Sequence, residues 1–98
     1  MKKPLNEDKK RQLRKLGHTL KPLVIIGSNG LTDAVIAEID STITFHELIK
    51  VKVNAEERED RNAMIEMLCE RTNSELVQRI GHIALIFRRN PQKPKIHI

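Results

Sequence analysis

The sequence predicts an α/β fold in the order αβαβαββ, a two-layer arrangement in which helices pack on a mixed four-stranded sheet. Three observations predict it. The apolar run Leu23-Val24-Ile25-Ile26 ends in Gly27-Ser28-Asn29-Gly30, and a four-residue apolar period then begins with Leu31, Val35, Ile39 and Ile43. Ile49, Val51 and Val53 alternate with Lys50 and Lys52, the period of a half-buried strand. The last section reads as two strands, Glu75 to Ile80 and Ile83 to Phe87, joined at Gly81-His82, where the glycine supplies the turn freedom of a short hairpin. Strands separated by helices imply right-handed crossovers and parallel neighbours, and the closing hairpin adds an antiparallel pair.

Each element has a local cause. Asn6 can cap a first helix running to about His18, with Leu13, Leu16 and Leu20 on one side and Lys9, Lys10, Arg11, Arg14 and Lys15 mainly elsewhere. Five cations in seven residues repel one another, so either the leucine face docks firmly or an anion relieves the repulsion. Lys21-Pro22 sets an extended entry to the first strand, whose β-branched Val24, Ile25 and Ile26 suit a pleated surface. Asn54-Ala55-Glu56-Glu57 matches a capping box, so the third helix is expected to begin there. Ala63, Met64, Met67, Leu68 and Arg71 carry it to about Thr72, and Thr72-Asn73-Ser74 ends it. The residues from about Pro91 to Ile98 are expected to form a loosely held tail.

The 98 residues are expected to form a single domain with a core of modest size. Apolar residues are 39% and charged residues 32%, which separates the chain from disordered and membrane classes. Met1-Lys2-Lys3-Pro4 is followed by no signal-type apolar stretch, and the single Cys69 can form no internal disulfide, so a reducing, cytoplasmic address is expected. The net charge of +5 is unevenly spread. Met1 to Pro22 holds eight Lys/Arg against two acids, Leu23 to Asp60 three against eight, and Arg61 to Ile98 seven against three. A basic surface built from both ends of the chain could face a polyanion.

Catalytic signals are absent. His18, His46, His82 and His97 are scattered without metal-ligand spacing, and Cys69 has no activating neighbour in its helix. No cofactor, metal, membrane or small-molecule substrate is implied. Neither a dinucleotide fingerprint nor a P-loop accompanies Gly27-Ser28-Asn29-Gly30. Asn29-Gly30 could make a hairpin turn, but the helical period that follows argues against it. Two readings of the loop remain: a structural tight turn, and a backbone clamp whose N–H groups meet phosphate at the positive end of a helix dipole. With no Trp or Tyr, and with Phe45 and Phe87 placed where burial explains them, an aromatic platform for splayed bases is not supported. Backbone recognition of folded RNA by amides and cations is the mode left open.

Three segments in order then carry a family resemblance: Leu16-Gly17-His18-Thr19-Leu20-Lys21-Pro22, Ile26-Gly27-Ser28-Asn29-Gly30-Leu31-Thr32, and His46-Glu47-Leu48-Ile49-Lys50-Val51-Lys52. With Ile80-Gly81-His82 and the run to Arg89, they resemble the CRM domain, in its stand-alone prokaryotic form of the YhbY type, over about Leu13 to Arg89. The resemblance implies a fold similar to the C-terminal domain of bacterial translation initiation factor three, RNA binding, and association with precursors of the large ribosomal subunit. It places the RNA loop on Gly27, Ser28, Asn29 and Gly30. Many relatives have Lys or Arg at a central loop position, whereas this chain has Ser28 and Asn29. Charge placement therefore assigns supporting attraction to Lys9, Lys10, Arg14, Lys21, Lys50 and Lys52. The expected function is non-enzymatic binding of structured ribosomal RNA in large-subunit assembly. The alternative is a protein-interaction module whose basic first helix docks an acidic partner.

Overall fold

A computed structural model describes residues 5–98. Among them, α1 (Glu7–Gly17), β1 (Pro22–Ile26), α2 (Asp33–His46), β2 (Leu48–Val53), α3 (Arg58–Thr72), β3 (Glu75–Ile80) and β4 (Ile83–Phe87) follow in the predicted order. The caps explain the boundaries. Asn6 Oδ1 accepts the Lys9 N–H at 2.8 Å and Thr32 Oγ1 accepts the Val35 N–H at 3.2 Å, so α1 and α2 start where a side chain satisfies a first-turn donor. Asn73, in the left-handed conformation at φ 54°, closes α3.

The third helix starts later than the capping-box pattern predicts. Its N-cap is Glu57, which makes no side-chain cap bond. Asn54, the residue after β2, continues the pairing with β1 by donating its N–H to the Ile26 carbonyl at 3.0 Å. The Arg61 guanidinium then accounts for the intervening turn, donating to the Ala55 and Glu56 carbonyls at 2.9 and 2.8 Å. A sheet bond at residue 54 and a side-chain clamp at 55 and 56 outcompete the local cap.

The four strands form one mixed sheet in the order β1-β2-β4-β3. β1 and β2 are parallel, and β4 is antiparallel to both β2 and β3. The crossover through α3 therefore leaves a gap one strand wide, which β4 fills. Period-2 alternation divides the apolar residues between the two faces. Val24, Ile26, Ile49, Val51, Val53, Ala84 and Ile86 pack with Ile39 and Ile43 of α2 and Ile65 and Leu68 of α3. Leu48, Leu85, Phe87 and Val77 face the other way and meet Leu13 of α1, with Leu5, Ile96 and Ile98 alongside. Sheet and helices form the expected layers through α2 and α3, and α1 adds cover on the opposite face. Each fully buried Leu or Ile in these cores contributes roughly 1.5–3 kcal/mol.

Two polar devices tie the layers together. Arg88 of the strand-to-tail junction donates to Asp40 Oδ1 at 2.7 Å, to the Thr72 carbonyl at 2.6 Å and to Thr44 Oγ1, joining both helices to the end of β4. Glu47 is fully buried, with φ 66° at the end of α2. Its carboxylate accepts the backbone N–H groups of Asn90 at 2.5 Å, Lys95 at 2.7 Å and Ile96 at 2.8 Å. The segment from Pro91 thus runs across the Glu47 carboxylate, and Ile96 and Ile98 lie against the α1-side core. Among the described residues no helix is long and apolar enough to cross a membrane.

Candidate nucleic-acid interface

The Gly27 to Gly30 loop sits where β1 ends and α2 begins. Gly30 donates its N–H to the Gly27 carbonyl at 3.1 Å, closing a four-residue turn. Among the described non-glycine residues only Glu47 and Asn73 have positive φ, so Ser28 and Asn29 occupy ordinary right-handed positions, as in a type I turn with glycine at its last place. Gly30 itself has φ +72°, a conformation that disfavours a side chain. Gly27 differs. It has no such φ, and a Cβ built on it would meet nothing within 4 Å. The fold requires glycine at 30 and does not require it at 27. A glycine without a structural cause, exposed beside a helix N-terminus, leaves backbone open to close approach by an anion.

Hydrogen bonds fix what surrounds the loop. Asn54 N–H reaches the Ile26 carbonyl and Val53 N–H reaches the His82 carbonyl at 2.7 Å, so the loop, the start of the β2–α3 connection and the β3–β4 turn lie side by side at one end of the sheet. Charge is divided across this end. Glu56, Glu57, Glu59 and Asp60 lead into α3, in the helix layer. Lys50 and Lys52 point to the α1 side, because Ile49, Val51 and Val53 fill the helix-side core. Polyanion attraction therefore belongs to the α1 side.

The predicted cations are only partly brought together. Lys52 pairs in register with Ile25, two residues before Gly27, and Lys50 pairs with Pro22, so Lys50 and Lys52 lie beside β1 on this face, and Lys21 immediately precedes β1. Arg14 lies across the sheet in an open groove lined by Arg11, Arg14, Lys15 and His18 of α1 and by Gln78 and Ile80 of β3. Lys9 and Lys10 occupy the first half of α1 and do not line that groove. Arg11, Lys15 and His18 were not among the predicted site residues. Their signal was present in the spacing 11, 14, 15 and 18, one stripe of a helix. Several cations of the third segment are used internally: Arg61 on the 55–56 turn, Arg71 on Asp33 at 3.1 Å, and Arg88 on Asp40. The excess of cations after Arg61 thus describes fold-holding contacts more than an open surface.

This geometry can hold a phosphate backbone. The family model described as the CRS1 / YhbY (CRM) domain matches residues 5–88. The chain belongs to the CRM family. Its relatives include "Probable RNA-binding protein PA4753" of Pseudomonas aeruginosa, 46% identical over 91 residues that cover 93% of this chain and 88% of the relative. "Probable RNA-binding protein YqeI" of Bacillus subtilis is 33% identical over 94 residues, covering 96% of this chain and 98% of its own. The solution structure of SAV1595 from Staphylococcus aureus, described as a candidate RNA-binding protein, superposes with a TM-score of 0.77 at 41% identity, covering 87% of this chain and 88% of that one. In this CRM domain, among the described residues, no group of three or more His, Cys, Asp or Glu side chains is placed to hold a metal ion.

Proposed function

We propose that this CRM protein binds structured ribosomal RNA without catalysing a reaction on it, in assembly of the large ribosomal subunit within the cytoplasm. The RNA backbone approaches the Gly27 to Gly30 loop at the start of α2, and Ser28 and Asn29 add hydrogen bonds. Lys50 and Lys52 attract phosphate beside the loop, with Lys21 at the same edge and Arg14, Lys9 and Lys10 on α1. The observation that carries this reading is Gly27, an exposed glycine that neither backbone conformation nor packing requires. The relatives' names support RNA as the ligand class.

Gly27→Asp tests the clamp cleanly, because its side chain enters open space, whereas any substitution at Gly30 adds backbone strain. Binding to large-subunit precursor RNA is measured over a salt series. Gly27→Asp is expected to weaken affinity at least about tenfold with circular dichroism unchanged. Changing Lys50 and Lys52 together to Gln is expected to reduce the slope of log K against log salt by roughly 1–2. Native-like affinity in Gly27→Asp would overturn the clamp and favour the basic first helix as a dock for an acidic protein partner.

A further inference from the structure

The α1 side of the sheet is not fully covered. Gly17, the last residue of α1, lies against Leu85, and among the described residues no helix follows α1 over the part of this face between Leu85 and the loop. There the register aligns one residue from every strand: Ile25 opposite Lys52, Lys52 opposite Ile83, and Ile83 opposite Ile80. All four point to the α1 side, since Val24, Ile26, Val51, Val53 and Ala84 fill the other. Ile25 is 58% exposed and Ile80 65%, Ile83 between them is half-buried, and Leu23, next to Ile25 on β1, is 50% exposed. The row crosses the full sheet, about 14 Å at three strand spacings.

Two exposed isoleucines on the edge strands, with Lys52 and half-buried Ile83 between them, give this face the apolar area of a binding surface. Charge and position select its occupant. Lys52 sits within the row, Arg11, Arg14, Lys15 and His18 flank its β3 end, and the Gly27 to Gly30 loop continues directly from its β1 end. The acids of the α3 start lie with the opposite face. An apolar strip enclosed by cations and ending at a phosphate-type loop matches a polyanion with apolar flat faces. We infer that Ile25, Ile83 and Ile80 form an aliphatic platform that receives unpaired nucleobases of the same RNA whose backbone meets Gly27, with Lys52 holding an intervening phosphate. This inference rests on the RNA-binding reading above. Aliphatic side chains contact base faces and read no base edge, so the platform distinguishes unpaired from paired RNA without a strong sequence preference.

The test compares an RNA duplex interrupted by an unpaired uridine loop with the uninterrupted duplex, using the full chain and the double variant Ile25→Ser, Ile80→Ser. Both positions are exposed, and retention of the native circular dichroism spectrum and melting temperature checks the fold. The native protein is expected to prefer the looped RNA, and the variant to lose about tenfold on it with little change on the duplex and no change in salt slope. Equal weakening on both RNAs, or none on either, overturns the platform; the second result assigns the row to a protein partner. Gly27→Asp runs in parallel. If it loses affinity while the isoleucine variant does not, the platform fails and the backbone clamp stands. If the native protein binds neither RNA, the RNA-binding reading itself fails.

Discussion

Removing the Glu47 carboxylate should release the last eight residues and cost much of the molecule's stability. Glu47→Ala deletes the acceptor of three backbone N–H groups, those of Asn90, Lys95 and Ile96. Charge-assisted hydrogen bonds contribute roughly 1.5–3 kcal/mol each, but the released tail regains water, so the net loss is capped near about 3–5 kcal/mol. For a chain of this size that lowers the melting temperature by roughly 12 °C or more. Glu47→Gln keeps one carbonyl oxygen and should fall between. The same carboxylate gives stability a pH dependence. Burial alone would raise its pKa, but the N–H groups of Asn90, Ile96 and Lys95, with the Arg89 charge, outweigh burial and hold it below the ordinary value. Its contribution is therefore complete above the unfolded-state carboxyl pKa and is lost as pH falls through the lower folded-state value. Thermal unfolding and amide hydrogen exchange at Lys95 and Ile96 measure both effects. A loss below about 1 kcal/mol with undiminished protection at those amides would refute the assignment of Glu47 as the tail's anchor.

Gly17→Ala should destabilise by about 1–3 kcal/mol, measured by chemical denaturation, because its Cβ would lie 2.6 Å from Cδ2 of the buried Leu85. Gly27→Ala should change stability by no more than about 0.5 kcal/mol, whereas Gly30→Ala should cost roughly 1–2 kcal/mol for its left-handed φ; equal costs would contradict the distinction between the two loop glycines. Arg88→Met removes the links to Asp40, Thr44 and the Thr72 carbonyl and should cost about 1–3 kcal/mol, with exchange rising first at the end of α3.

Local signals carried far in this chain. Asn6 and the Gly27 to Gly30 turn were readable because a cap and a tight turn depend on a few consecutive residues, and β2 showed itself by alternation alone. The capping box at Asn54 misled for the opposite reason: the competing partner, the Ile26 carbonyl, is 28 positions away. The cations followed the same division. Counting them pointed to a basic surface, but Arg61, Arg71 and Arg88 look identical in sequence to Arg14 and are spent on carbonyls and carboxylates within the fold.

The sequence by itself determined the element order and the parallel β1–β2 unit with its glycine loop at a helix start, since periodicity and turn chemistry are local; its expectation that Phe45 is buried was wrong, because the ring is 61% exposed with Lys95 over it, a contact set by the distant tail. Only the tertiary structure decided that β4 enters between β2 and β3, that Glu47 is a buried anchor, and that Ile25, Lys52, Ile83 and Ile80 form one row. The strand order and the row depend on register between residues up to 39 positions apart, where a one-residue slip would turn each side chain of the row to the other face, and the Glu47 anchor depends on contacts more than 40 positions away.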